Sequence, residues 1–179
     1  MKIAISGFAG SGKTALAKGL VERLNALGLD VKLVAPTFKD LAKARGMDLM
    51  EFQKEAEKNP EIDKEFDGYI RREAKKYKNV VVATWLAIYL INADLSIFLY
   101  APLLERAKRV ALRDNIKVEE ALKHVTERDE ENRQRYLALY NIDIFKLYEM
   151  ADLCINSSRF SIDQEVDLVL SVLKVKSLI

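Results

Sequence analysis

Residues 7–14 read GFAGSGKT, and this octapeptide constrains the fold more than any other part of the chain. It follows the apolar run Lys2 to Ser6 and precedes a stretch in which Leu16, Leu20, Leu24 and Leu27 recur at helical spacing. The string fits GxxxxGK[ST] without a mismatch, and its setting, strand before and helix after, is the one a phosphate-binding loop requires. Glycines let the backbone adopt positive φ and come close to a phosphate, while successive N–H groups and the helix N-terminus hold negative charge. Gly7, Phe8, Ala9, Gly10, Ser11 and Gly12 are therefore expected to cradle ATP. Lys13 is expected at its β- and γ-phosphates, and the Thr14 hydroxyl at Mg²⁺. A glycine turn with a surface lysine is the plainer alternative.

Beyond the loop, short β-branched runs alternate with longer stretches of helical period, the pattern of a parallel sheet covered on both faces. Strands are expected at Lys2 to Ser6, Val31 to Ala35, Asn79 to Ala83, Leu95 to Tyr100 and Leu153 to Asn156. This gives an α/β fold of three layers with a five-stranded parallel sheet. Gly28 is placed to close the first helix in the left-handed region. Ser161 and Gln164 stand at capping-box spacing before Val166, Val169, Leu170 and Leu173, the buried face of the last helix.

With 179 residues, 29 Lys plus Arg and 27 Asp plus Glu, the chain fits one domain with a formal charge of +2. Such a balance creates no long-range field of the kind nucleic-acid and membrane binders use. The lone Cys154 lies in an apolar run, cannot form an internal bridge, and is expected to pack in the core. Met1 leads directly into the first strand, and no apolar run is long enough to span a bilayer. A soluble cytoplasmic protein is expected, monomer or homodimer, acting on a small molecule.

Two charge-rich segments interrupt the alternation. Residues 36–78 carry helix breaks near Gly46 and Pro60, and the region after Pro102 contains two helices that separate near Asn115. Arg106, Arg109 and Arg113 fall on one face of the first of these, and Arg128, Asn132 and Arg135 on one face of the second. Guanidinium groups bind phosphate oxygens bidentately and keep their charge, which suits phosphoryl transfer. The alternative is a solvated helix face, with Glu127, Asp129, Glu130 and Glu131 pairing locally.

The chain resembles the nucleoside monophosphate kinases, and within them the cytidylate kinases of the archaeal type. The resemblance rests on GFAGSGKT, on Thr37 to Met47, on Asn59 to Asp67, and on ERAKR followed by ERDEENRQRY, in that order along nearly the whole chain. It implies an adenylate-kinase-like core formed by residues 1–35, 79–114 and 141–179, with a monophosphate-binding insertion at 36–78 and a lid at 115–140. It implies transfer of the γ-phosphoryl of ATP to CMP or dCMP with Mg²⁺. Lys13, Arg109, Arg113, Arg128 and Arg135 would be the catalytic cations, with Arg128 and Arg135 gripping the acceptor phosphate.

There are departures from the family pattern. Lys39 replaces an arginine after the second strand, and Ala83-Thr84-Trp85 replaces Glu-Gly-Arg at the end of the third. Asn132 stands where bacterial relatives have an aspartate. Lys39, Thr84, Trp85 and Asn132 are thus expected at the acceptor, where Trp85 either stacks on a base or sugar or packs in the core. The missing acid and arginine leave open a nucleotide-binding paralogue with a regulatory role, or a kinase of another nucleotide or of a non-nucleotide molecule. A GTPase is disfavoured, because no Asn-Lys-x-Asp and no Asp-x-x-Gly motif is present. His124 is expected at the surface, and Ser157, Ser158 and Arg159 near the adenine.

Overall fold

The computed structural model describes residues 1–48, 51, 52, 55, 56 and 59–179. Its centre is a five-stranded, all-parallel sheet in the order β2-β3-β1-β4-β5. The strands are β1 (Lys2–Gly7), β2 (Lys32–Val34), β3 (Val80–Ala83), β4 (Leu95–Tyr100) and β5 (Leu153–Asn156). In β3 all four residues are buried. Successive side chains point to opposite faces, and helices cover both faces, so VVVA reads as a continuous apolar run.

One layer is α1 (Lys13–Ala26) and α7 (Ile162–Val175), whose Leu16, Leu20, Leu24, Val166, Val169 and Leu173 pack on Ile3, Ile5, Val81 and Ile97. On the opposite face Ala4, Val80, Val82 and Phe98 meet Phe66, Ile70, Leu86, Ile88 and Tyr136. That side is built by α3 (Pro60–Lys75), α4 (Ala87–Leu90), part of α6 (Val118–Tyr140) and the 3-10 helix Ile144–Met150.

Chain reversals occur where the sequence supplies a stop or a cap. Gly28 adopts φ 84°, and the pair Leu29 N–H to Leu24 O and Gly28 N–H to Asn25 O ends α1 in a Schellman motif. Ser161 and Gln164 form the expected capping box on α7. Thr37 and Asp40 form another on α2 (Phe38–Ala44), while Asn59 caps α3 with Pro60 at its first position. Asn115, at φ 54°, separates α5 (Leu103–Asp114) from α6, and the two form a hairpin with a small core of Ala107, Val110, Ala111, Ala121 and Val125.

Three expectations need correction. β2 spans three residues rather than five, because it pairs only with β3, through Lys32 to Val34. Leu27 caps α1 and is 58% exposed, so it leaves the buried leucine stripe. Cys154 is exposed rather than packed in the core: β5 is an edge strand, and its neighbour Ile155 is the residue turned into the core. No helix among the described residues is long and apolar enough to cross a membrane.

Candidate functional site

Parallel sheets place ligands at the carboxyl ends of their strands. β1 lies between β3 and β4, so the glycine loop that follows β1 emerges beside Ala83-Thr84-Trp85. The loop's shape requires its glycines. A Cβ on Gly7 would lie 2.0 Å from Leu99 O, and Gly12 enters α1 as its N-cap at φ 97°. Phe8 fixes the loop from below through edge-on contacts with Phe98 and Phe145, at 5.4 and 5.5 Å between ring centroids.

A cavity of about 600 Å³ runs from this loop to α2, α3 and the α5–α6 hairpin. It gathers Ala9, Gly10, Gly12, Lys13 and Thr14 with Thr84, Trp85, Arg109, Arg113, Arg128, Asn132 and Arg135. Residues brought from four separate stretches of sequence therefore meet at one opening. Gly7, Phe8 and Ser11 shape the loop without lining that cavity. Lys39 lies in α2, but its side chain falls outside the described residues.

Lys13 Nζ donates to Phe8 O at 2.8 Å and lies 5.0 Å from the centroid of the Trp85 ring. Burial lowers its pKa to about 7, and the nearby charge of Arg128 adds to the effect; Asp129 opposes it, and Arg106 lowers it further. A cation held in such a place favours an incoming anion strongly, because a polyphosphate would relieve both the repulsion and the desolvation. Trp85 is only partly buried, and it also packs against the core on its sheet face. It therefore both packs and borders the site.

The arginines of α5 and α6 differ in their surroundings. Arg106 is buried; its guanidinium donates to Ala101 O, to Ala9 O and, at 2.6 Å, to Asp129 Oδ2, and it stacks 5.1 Å from Phe8. It does not share the open face expected with Arg109 and Arg113, because Asp129 draws it under the lid. Arg109 donates to Ser11 O, Ser157 Oγ and Ser157 O, which ties α5 to the glycine loop and to the loop after β5. Arg113 is paired with its neighbour Asp114 at the cavity rim. Arg135 reaches Asp63 at 3.6 Å and lies over Phe38. His124 is exposed, and it stands at the cavity rim.

Sequence reasoning missed Asp129, which the acidic run disguised as part of a solvated face. It is 5% exposed and accepts from Ala9 N at 3.3 Å as well as from Arg106. Its spacing to Asn132 and Tyr136, both buried, was the available signal: i, i+3 and i+7 mark a packed stripe even when two members are polar. Asp63 and Asp67 were missed as individual groups for the same reason. They occupy the buried face of α3 with Ile62, Phe66 and Ile70.

Burial raises the pKa of Asp67 to about 6; the hydrogen bond from Tyr140, 2.7 Å long, opposes this, Asp63 adds to it, and Arg71 opposes it. Thr84 Oγ1 is buried at the cavity and has no hydrogen-bond partner among the described residues. A buried hydroxyl in that condition costs free energy unless a ligand or water satisfies it.

Comparison with known proteins agrees with this geometry. The profile of the Cytidylate kinase-like family matches residues 2–159. The cytidylate kinase of Pyrococcus horikoshii is 49% identical over 162 residues, 89% of this chain and 81% of that protein. That of Sulfolobus acidocaldarius is 39% identical over 180 residues, covering 99% and 97%. In structure the chain is similar to the shikimate kinase of Bacteroides thetaiotaomicron, with TM-score 0.65, 17% identity and coverage of 97% and 98%. A deoxyadenosine kinase from M. mycoides superimposes with TM-score 0.57 at 13% identity, covering 98% and 100%. These two likenesses extend the fold to P-loop kinases. The chain belongs to the cytidylate kinase-like family.

Proposed function

We propose that the protein transfers the γ-phosphoryl group of ATP to CMP or dCMP, giving ADP and CDP or dCDP. The observation that carries this reading is the single cavity that joins the glycine loop, the lid arginines and α3. Donor and acceptor can meet there with little room for water. Residues 36–78 serve as the acceptor-binding insertion and 115–140 as the lid, on the core of 1–35, 79–114 and 141–179.

The glycine loop binds the triphosphate through its N–H groups, with Lys13 leaving Phe8 O and the Trp85 face to meet the β- and γ-phosphates. An oxygen of the acceptor phosphate attacks the γ-phosphorus in line, and the bond to the β–γ bridging oxygen breaks, leaving ADP. Lys13, Arg109, Arg113, Arg128 and Arg135 neutralise the charge that spreads over the transferred group. Arg128 is nearest in effect to Lys13, and Arg135 stands on the acceptor side with Asn132. No protein nucleophile is needed.

Mg²⁺ fits the donor end on one condition. Ala83 offers no carboxylate, and no cluster of three or more metal-ligating side chains occurs among the described residues. Thr14, however, puts a hydroxyl in the cavity beside Lys13. Mg²⁺ keeps much of its shell as phosphate oxygens and water, so the Thr14 hydroxyl would hold it together with the nucleotide's own phosphates. When bound, it would supply charge neutralisation on the β- and γ-phosphates.

The arginine expected to hold the acceptor phosphate after β3 is Trp85 here. Its place against Lys13 supports a different division of labour, in which Arg128 and Arg135 hold that phosphate and Trp85 walls the acceptor. Thr84, with its unpartnered hydroxyl, is the nearest polar candidate on the same strand end. The enzyme so described is soluble, cytoplasmic, monomeric or homodimeric, and acts on small molecules without a nucleic-acid or membrane partner.

A coupled ADP-release assay with ATP and Mg²⁺ over CMP, dCMP, UMP, AMP and small alcohols tests the reading. Turnover with CMP or dCMP above the other acceptors is expected. Measurable ATP binding with no transfer to any acceptor would replace the kinase with a nucleotide-binding regulator.

A further inference from the structure

The cavity has two electrostatic ends. At one, Lys13 feels the charges of Arg128, Asp129 and Arg106; at the other, Asp67 feels those of Asp63 and Arg71. A phosphate belongs at the first end; at the second, Arg135 pairs with Asp63 at 3.6 Å and leaves Asp67 as the carboxylate of α3 that lines the cavity. Whatever part of the acceptor reaches Asp67 is therefore uncharged and carries a hydrogen-bond donor.

The surroundings of Asp67 narrow that group. Phe38, Phe66 and Ile70 line the same end of the cavity, which gives it the apolar walls a flat heterocycle fills. Asp67 is 5% exposed yet lines this cavity, and Tyr140 Oη donates to its Oδ2 at 2.7 Å. Tyr140 is itself seated against Tyr89, with 5.4 Å between ring centroids. One carboxylate oxygen is thereby fixed by the protein, and Asp67 has acceptor capacity remaining. Asn132, also in the cavity lining, spends an Nδ2 hydrogen on Arg128 O at 2.7 Å, and Arg135, over Phe38, is paired with Asp63.

We propose that Asp67, held in place by Tyr140, selects the acceptor by accepting a hydrogen bond from an exocyclic amino group of its base, so that an aminopyrimidine is preferred to its oxo counterpart. This rests on the nucleoside monophosphate reading above and names the residue that sets its base preference. Cytosine presents an N–H₂ donor where uracil presents a carbonyl oxygen, and a carboxylate facing that oxygen leaves two acceptors opposed and unsatisfied. Discrimination of this kind is large because the mismatch strands a buried polar group.

The groups around Asp67 are Asp63 and Arg71 on its own helix, Tyr136, Tyr140 and, through its pairing with Asp63, Arg135 from α6, and Tyr89 from α4 through Arg71 and Tyr140. Both α6 tyrosines have pKa values pushed up by burial, so both stay neutral through the working range. Asp67, raised to about 6, is the group here that changes charge near neutrality. Once protonated it becomes a donor able to serve the uracil oxygen.

The test measures CMP and UMP, as binding by calorimetry without ATP and as kcat/KM with it, for the wild type, Asp67→Asn and Tyr140→Phe. In Asp67→Asn the CMP to UMP ratio is expected to fall about 10- to 100-fold, through the acceptor KM, with the ATP KM unchanged. Tyr140→Phe should fall in the same direction by less, and the wild-type ratio should shrink as pH drops through about 6. Circular dichroism checks that each variant is folded. A wild type that binds CMP no more tightly than UMP overturns the proposal, as does an equal loss for both nucleotides in Asp67→Asn. With dCMP included in both measurements, a change confined to CMP against dCMP would assign Asp67 to the sugar and overturn it too. The binding arm stands without turnover, so a failure of phosphoryl transfer is separable from a failure of base selection.

Discussion

The turns after β1 and after β3 are neighbours in space and opposites in kind. The first is a glycine loop with every position of its pattern filled, closed by Phe8 and braced by Arg106 and Asp129. The second is Ala83-Thr84-Trp85, where an acid and an arginine are absent and a hydroxyl has no partner among the described residues. The loop binds phosphate mainly through backbone N–H groups, so its geometry leaves little freedom for substitution. The acceptor end recognises a shape and a few donors through side chains, which can be rearranged. Divergence is therefore expected to collect at the acceptor end while the donor end stays fixed.

Removing Lys13 should break both ends at once. Lys13→Ala is expected to lower kcat/KM by about 10²–10³-fold or more for every acceptor, since it removes a charge aimed at the transferred group. Steady-state kinetics with CMP and dCMP would show it, and a loss limited to one acceptor would count against the shared-donor view. Asp129→Ala should instead act on the fold. Leaving the buried Arg106 without its partner costs about 3–5 kcal/mol of unfolding free energy, readable in a urea titration.

Smaller effects sharpen the contrast. Trp85→Leu deletes the ring over Lys13, a contact worth about 0.5–2 kcal/mol that Lys13 gives up on meeting the phosphates, so ATP affinity is expected to rise by up to roughly 3- to 30-fold while the acceptor KM changes as its wall is removed. The KM change should differ between acceptors, and Trp85→Arg should redirect acceptor use. If Trp85→Arg and Trp85→Ala behave alike and leave acceptor preference untouched, the indole only packs.

The smallest effect lies away from both ends. Glu165 on α7 is fully buried, neither carboxylate oxygen has a partner among the described residues, and burial raises its pKa to about 7, opposed by Arg109. The folded state therefore binds more protons than the unfolded state between about pH 4.5 and 7, and stability falls as pH rises through that window. Glu165→Gln should raise the melting temperature at pH 8 by about 5 °C and change it little at pH 4.

Much of this molecule is legible in its sequence. All five strands appear within two residues of where β-branched runs predict them; the buried β3 has no polar position to confuse the pattern, whereas the edge strands β2 and β5 are only partly buried. The caps at Ser161 and Asn59 and the stops at Gly28 and Asn115 are equally local. Arg128, Asn132 and Arg135, grouped on one face by helical spacing, line one cavity with the glycine loop. What the sequence concealed is polar burial. Asp129, Asp67 and Arg106 lie in charged stretches, and nothing local tells a carboxylate facing water from one facing a guanidinium across a hairpin. Cys154 failed in the opposite sense, since an apolar run does not reveal that its strand is an edge. Trp85 was readable as a departure from the family, but its contact with Lys13 depends on β1 and β3 lying side by side.

The most direct measurement is product detection by phosphorus NMR on the purified protein with ATP, Mg²⁺ and CMP. CDP and ADP should appear in equal amounts, and neither should form with Lys13→Ala. ATP that binds yet yields no CDP, or ADP that forms at the same rate with and without CMP, would contradict phosphoryl transfer to a cytidine monophosphate in this cavity.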